Sequence, residues 1–422
     1  MQDFRRIILD NGLRLILVPQ PGNLAATVAV AVEAGSKYET KEINGLSHFL
    51  EHTCFKGTTK RPRAIDISSE LDGMGANYNA FTSQEMTAYH VKARKESLEK
   101  VLDVIADVYL NPVFDPKEID KERGVITEEI NMIEDTPQRR IHDFFMELVY
   151  GDQPAGWDVA GRKEVIARLT REDLMKYRSE HYIAPATTVV VSGGFDEKGI
   201  EKKIAGYFSG LKDGKKSGKV PVHESQDKPA ELIKTKDSDQ THLVMGFRAF
   251  SLFDKRRFAL EVLADILGSG FSSRLWQKIR EEMGAAYYVR ASADLYSDHG
   301  LIEMWAGVDH KKLEDVIKAS LEGFARFRDE KVGEAELERA KEHLVGNLFL
   351  SLETSDELAF YYGLQEIQNL PILTPDALAK EIKAVSAEDI QSVARDLFRN
   401  EGLNFAVIGP FKEKSFSDIL KI

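Results

Sequence analysis

The run His48-Phe49-Leu50-Glu51-His52 decides how this chain is read. Two histidines four apart lie one above the other on one face of a helix. That spacing lets two imidazole nitrogens close on a single metal ion. Glu51 is placed beside the second histidine to hold a water on that metal and take its proton. The order is His-x-x-Glu-His, the inverse of the more common His-Glu-x-x-His zinc helix. Taken alone, such a run can also be an ordinary surface helix. Here His48 and His52 share their face with Phe49 and Phe55, which points to a buried face. A metal-dependent hydrolase is the first hypothesis.

A catalytic zinc site needs three protein ligands and one open position. The third ligand is sought in Ile119–Ile133, where Ile119, Val125, Ile126, Ile130 and Ile133 form an apolar stripe at helical spacing. Glu122 and Glu129 fall inside that stripe and Glu128 outside it. Carboxylates facing a core are costly unless a cation or hydrogen bonds satisfy them. A metal with its histidines would do so, and so would buried arginines. The assignment is Glu129 as third ligand, with Glu122, two turns back, orienting a metal-bound histidine. Cys54, the single cysteine, points off the His48/His52 face and reads as a small core residue.

Outward from this site, the chain alternates strands and helices. Ile7–Leu9 and Leu13–Val18 flank Asp10-Asn11-Gly12, a strong turn signal. Thr27–Val32 alternates large and small residues like a buried strand. Helical patterns follow at 43–57, 64–73, 97–110 and 116–134. Between them, 77–82 and 86–91 read as paired strands. Residues 209–229 are rich in Lys, Gly, Ser and Pro, the composition of a linker. Gly210, Gly214 and Gly218 would let it hinge. On either side the halves look alike: Leu71–Tyr78 resembles Glu281–Tyr288, and the helices opening at Lys95 and Asp115 match those at Lys311 and Gly333. The expected fold is α+β, with two duplicated domains, each a mostly antiparallel or mixed sheet packed with helices. The expected boundaries are 1–210 for a metal-binding domain, 211–229 for the linker and 230–422 for a homologous domain without the metal motif.

Bulk composition narrows the function. The chain has 422 residues, 43% of them hydrophobic, and a net charge of −12. Mixed charges with an acidic excess disfavour nucleic acid, which needs a basic patch. No stretch approaches the ~20 apolar residues of a membrane span, and Met1–Asp10 is too short in apolar residues for a secretory leader. One cysteine excludes an internal disulfide framework. The expected setting is cytoplasmic, without membrane or nucleic-acid partners.

The segments Asn44–Thr58, Gly75–Thr82 and Glu122–Ile130 together resemble the pitrilysin family of inverted-motif zinc metallopeptidases, in particular the bacterial two-domain homologues of the mitochondrial processing peptidase. The resemblance covers nearly the whole chain. It implies one zinc ion per chain on His48, His52 and Glu129, with Glu122 supporting the site and Glu51 as general base. It also implies that Arg280 and Tyr287, seven apart, bind substrate and polarise the scissile carbonyl. Extended or unfolded peptides would be held along Asn79-Ala80-Phe81-Thr82 by strand addition, inside a chamber closed by two clamshell halves. One chain carries both the zinc motif and the Arg280/Tyr287 pair. The corresponding expectation is a homodimer with composite sites.

Overall fold

The computed structural model describes residues 4–422; Met1–Asp3, part of the N-terminal stretch read above, lie outside the described residues. Two compact units divide the chain. The first is built on a six-stranded sheet: β1 (Arg5–Ile8), β2 (Arg14–Pro19), β3 (Ala25–Val32), β4 (Asn77–Thr82), β5 (Thr87–Arg94) and β6 (Thr187–Gly193). Their spatial order is β1-β2-β6-β3-β5-β4. Only the β2–β6 pair is parallel. The expected hairpin closes at Gly12, whose φ of +86° suits a residue without Cβ.

The second unit repeats the plan on β7 (Ala230–Thr235), β8 (Thr241–Ala249), β9 (Ala286–Leu295), β10 (Gly300–Val308) and β11 (Leu403–Gly409). Their order, β7-β11-β8-β10-β9, is that of the first sheet with β1 removed, and again one pair, β7–β11, is parallel. The turns entering β4 and β9 each carry a left-handed glycine, Gly75 at φ +63° and Gly284 at φ +54°. Each lies two residues before the first residue of its strand.

Helices α2 (Ala64–Gly73), α3 (Leu98–Leu110) and α4 (Pro116–Asp135) follow the expected periodicities to within a residue, α1 (Leu46–Cys54) is three residues shorter at each end than expected, and α5 (Pro137–Tyr150) is a helix that the sequence patterns above do not include. On β3, Val28, Val30 and Val32 face the core that α1 and α3 cover. Its small residues Ala29 and Ala31 face the other way. There a helix approaches closely, and it is Ser355–Ile367, from the second half of the sequence. Its Gly363 lies against Val190 of β6. The second unit mirrors this: α5, from the first half, lays Ile141, Phe145 and Val149 against Val244, Leu301, Ala406 and Ile408 of the second sheet. The sheets thus keep to their halves of the chain, on either side of the 211–229 segment. The helices that cover one face of each are exchanged. Unit 1 comprises 1–131, 157–220 and 349–374, and unit 2 comprises 132–156, 221–348 and 375–422.

The lysine- and glycine-rich segment is anchored at several points along its length. Ala184 donates to the Lys212 carbonyl at 2.8 Å. Lys216 pairs with Glu33 at 2.5 Å, Lys219 with Glu85, and Ser217 donates to the Glu180 carbonyl at 3.3 Å. The linker composition gives no sign of these pairs, in which Lys216 and Lys219 find carboxylates on unit 1. Beyond residue 220, Gln226 donates to the Leu403 carbonyl of unit 2 at 3.0 Å. Among the described residues, no helix is long and apolar enough to cross a membrane.

The exchanged helix Ser355–Ile367 is fastened by charge as well as by packing. Glu366, 3% exposed, takes a two-point pair from Arg6 at 2.6 and 2.9 Å. Arg14, also buried, donates to the Glu366 carbonyl at 2.9 Å and to Glu33 at 2.5 Å. Removing one member of a buried charge network strands the others without solvent. Glu366→Ala is therefore expected to cost about 3 kcal/mol of unit 1 stability, and Arg6→Ala, at a half-exposed arginine, about 1 kcal/mol or less. Urea unfolding of the two variants beside wild type measures both, and equal losses would contradict this ranking.

Candidate metal centre

Helix α1 carries His48 in its first turn and His52 in its second, and the middle of α4 crosses beside them. His48 Nε2 lies 3.2 Å from His52 Nε2. Glu129 Oε2 lies 3.5 Å from the first and 3.6 Å from the second. Among the described residues this is the one group of three such side chains able to hold a metal ion. A tetrahedral ion with bonds of about 2.1 Å has ligand–ligand edges of about 3.4 Å. The three measured separations bracket that value, so the donor set fits zinc in chemistry and spacing.

Glu122 sits behind His52. Its Oε2 is 3.2 Å from His52 Nδ1, and its Oε1 takes an ion pair from Lys56 at 2.8 Å. A carboxylate at Nδ1 favours the tautomer with the proton there, leaving Nε2 free to bind. Burial by itself would raise the Glu122 carboxyl; the hydrogen bonds from His52 and Lys56 outweigh it and hold the group below the usual range. The stripe on α4 is narrower than the sequence pattern suggests. Ile119, Glu122, Ile126 and Ile130 are buried, but Val125 is half exposed. Val125 lies about 100° around the helix from Ile126, and on that side α4 meets solvent.

Burial, helped by the neighbouring His52, pushes the His48 imidazole down to about 4. It is therefore neutral at pH 7, the state in which a histidine binds metal. Glu51 is nearly buried. Burial raises its carboxyl, and Glu129 adds to the rise, while Thr82 and His52 oppose it. The Thr82 hydroxyl donates to Glu51 Oε2 at 2.6 Å. A carboxyl with raised proton affinity beside a metal position suits a group that accepts and returns a proton.

Thr82 ends β4, the last strand of its sheet, whose outer side has no strand partner among the described residues. Asn79 and Ala80 border a cleft of about 560 Å³ that opens onto Glu51 and His52, with Phe55, Ile65, Ile67 and Tyr78 as its apolar wall. Phe81 points to the opposite face of the sheet, against Phe360 at 5.6 Å between ring centroids. Of the four strand residues singled out in the sequence, Asn79 and Ala80 line the cleft and Thr82 meets it only through Glu51. Cys54 is free and buried, with the Tyr89 hydroxyl 3.5 Å from its sulfur.

Arg280 and Tyr287 belong to unit 2. Arg280 lies on a wide helical turn, Trp276–Glu282, and donates to the Ala286 carbonyl at 3.1 Å. Its guanidinium sits 5.7 Å over the Tyr287 ring, and Tyr287 stands 72% exposed on β9, the edge strand of the second sheet. Residues that the sequence did not point to are Lys56, Thr82 as a partner of Glu51, and Arg123. Arg123 caps the Ile166 and Leu169 carbonyls and lies 5.6 Å over Phe49 of α1. Each acts across 30 or more residues of sequence, a range that helical or strand periodicity does not reach.

Residues 14–163 match the family model described as Insulinase (Peptidase family M16), and residues 168–344 match the one described as Peptidase M16 inactive domain. An uncharacterized zinc protease of Bacillus subtilis is 33% identical over 96% of this chain and 98% of its own length. One from Streptomyces coelicolor is 33% identical over 98% of this chain and 91% of its own. In three dimensions, a protease from Helicobacter pylori superposes with a TM-score of 0.90 at 22% identity, covering 97% of this chain and all of that one. A Pseudomonas fluorescens protein described as a peptidase M16 inactive domain gives 0.90 at 17%, covering 98% and 99%. At these identities the two structures speak for the fold alone.

The depressed His48 value has a consequence in the metal-free chain. Unfolded, this histidine titrates near 6.5; folded, near 4. Between those values the unfolded state binds more protons, so the contribution of His48 to stability is present above pH 6.5 and is lost as pH falls toward 4. Relative to His48→Gln, the apo wild type is expected to lose up to about 1.4 kcal/mol per pH unit across that window. Paired urea titrations from pH 7 to 4.5 in the presence of chelator measure it, and a pH-independent difference would contradict it.

Proposed function

The chain belongs to peptidase family M16, the pitrilysin family of zinc metalloendopeptidases, and from that premise we propose that it cleaves extended or unfolded peptides with Glu51 as general base at a zinc ion held by His48, His52 and Glu129. The observation that carries this reading is the triangle of ligand atoms, 3.2 to 3.6 Å on an edge, with Glu51 beside it on the same helix.

Zinc bound there would supply a Lewis acid that makes water more acidic and draws charge from the scissile carbonyl. The side chains of the chain do the rest. Glu51 takes the proton of the attacking water as its oxygen bonds the peptide carbon, and then delivers that proton to the leaving amine. The Thr82 hydroxyl keeps the Glu51 carboxylate aimed. Glu122 holds the His52 ring, and Lys56 balances its charge. Substrate adds as a strand beside β4, pairing its backbone with Asn79–Thr82. Backbone pairing reads extended shape, so selection falls to pockets such as the apolar wall at Phe55, Ile65 and Tyr78. Arg280 and Tyr287 bind the substrate and stabilise the oxyanion. We place them in the site of a second copy of this chain, which makes the working form a homodimer with composite sites and a closed chamber. A cytoplasmic site of action completes the reading.

Two substitutions separate the roles. Glu51→Gln is expected to lower kcat at least about a hundredfold while the purified chain keeps one zinc per subunit. Glu129→Gln is expected to weaken zinc binding itself about tenfold or more. Cleavage of a quenched fluorescent peptide, with metal content by atomic absorption, reads both. Full zinc affinity in the second variant would overturn the ligand set. Mixing equal amounts of Glu51→Gln and Tyr287→Phe chains tests the shared site: random pairing makes about half the dimers mixed, each with one intact site of two, so exchanged mixtures should recover about a quarter of wild-type activity, and no recovery would sink the composite dimer.

A further inference from the structure

The two metal-facing histidines are held in different ways. The His52 ring is oriented by Glu122 through Nδ1. The His48 Nδ1 is buried and has no hydrogen-bond partner. His48 can be aimed only through its own backbone, that is, through the start of α1. That start has no cap of its own: its N-cap is Gly45, at φ +94°, with no side chain to offer. The first N–H groups of a helix need acceptors, and here Leu46 and Ser47 are buried away from water.

The acceptor comes from Glu39. One carboxylate oxygen takes the Ser47 N–H at 2.6 Å; the other takes the Gly45 N–H at 2.7 Å and the Asn44 side-chain amide at 3.2 Å. Glu39 is itself 2% exposed. All three donors lie in the four residues preceding His48. Burial pushes the Glu39 carboxyl up to about 7, against the hydrogen bonds from Ser47, Gly45 and Asn44, so its hold on α1 lies in those contacts. Nearby packing leaves little room for α1 to start elsewhere. A Cβ on Gly45 would fall 2.6 Å from the Ala160 carbonyl oxygen and 2.8 Å from the Gly161 Cα. The Ser47 hydroxyl meets the Tyr177 hydroxyl at 2.8 Å.

We infer that Glu39 is a positioning residue for the metal site, fixing His48 through the α1 N-terminus as Glu122 fixes His52 through its ring. The inference rests on the His48/His52/Glu129 ligand reading. Glu39 acts through the helix start and touches none of the reacting atoms. Glutamine in its place keeps the shape but has one acceptor oxygen, and its amide N–H groups would face the N–H groups of α1.

The test uses the whole chain, wild type beside Glu39→Gln and Glu39→Asp. Zinc affinity is read by chelator competition, and ligand geometry by the visible spectrum of the cobalt-loaded protein. Exchange of the amides at 44–50 is followed in the metal-free chain. In Glu39→Gln, zinc affinity is expected to fall about tenfold, with a shifted cobalt spectrum and faster exchange at 44–50. Its kcat is expected to fall at unchanged KM. Glu39→Asp keeps the carboxyl group but is too short to reach both Gly45 and Ser47. It is expected to fall between wild type and Glu39→Gln, and it carries the test if the glutamine variant does not fold. Wild-type affinity and an unchanged cobalt spectrum in either folded variant would overturn the role of Glu39. A wild type that binds neither ion would overturn the ligand reading itself, and this inference with it.

Discussion

Two imidazoles and three carboxylates, from His48, His52, Glu51, Glu122 and Glu129, are crowded between α1 and α4, with Glu51 and Glu122 buried and the other three partly so. Polar groups taken out of water must be given partners or the fold loses several kcal/mol for each. That requirement shapes the whole first unit. Lys56 and His52 satisfy Glu122, and Thr82 satisfies one oxygen of Glu51. Through Thr82 the end of the edge strand β4 meets α1, beside the cleft that Asn79 and Ala80 line. The crowding that costs stability also keeps His48 neutral and raises the proton affinity of Glu51. Desolvation is thus the common origin of the strain at this site and of its chemistry.

The second unit repeats the sheet with a lighter polar load, chiefly Glu261 and the buried Asp265, which pairs with His343 at 2.7 Å. At the corresponding helix, Arg257–Gly268, the facing side chains are mostly apolar, and they join the main core of the unit. One plan of five strands thus serves two purposes: a polar centre in one unit, and an edge strand bearing Tyr287 with Arg280 beside it in the other. The match of residues 168–344 to an inactive-domain family agrees with that division.

Much of this was legible in one dimension because it rests on short-range rules. Helices α2, α3 and α4 begin and end within a residue or so of their apolar periodicities, and the turn glycines Gly12, Gly75 and Gly284 fall where left-handed backbone is needed. The facing of Glu122 and Glu129 could be read from a helical wheel because α4 is regular through both. Val125 was misplaced in that stripe because an apolar residue near its edge looks the same in sequence whether or not a neighbour covers it. The anchoring of the lysine-rich segment was also illegible, since Lys216 and Lys219 meet carboxylates more than 130 residues away.

Sequence alone determined the local units: the ligand spacing on α1, the regular helix α4, the alternation of β3, and the duplicated order of elements. These depend on residues within a few positions of each other, where the geometry of helix and strand leaves little choice. Only the tertiary structure decided which surfaces meet. It exchanged α5 and Ser355–Ile367 between the sheets, because each sheet has a second apolar face and the small residues Ala29 and Ala31 admit a helix on one of them. It brought Glu129 to within 3.6 Å of two histidines more than 70 residues earlier. It also put Glu39, unremarkable in the sequence, under the first turn of α1. Those choices are made by burial and by the need to pair every polar group taken out of water, and neither has a period that can be counted along a chain.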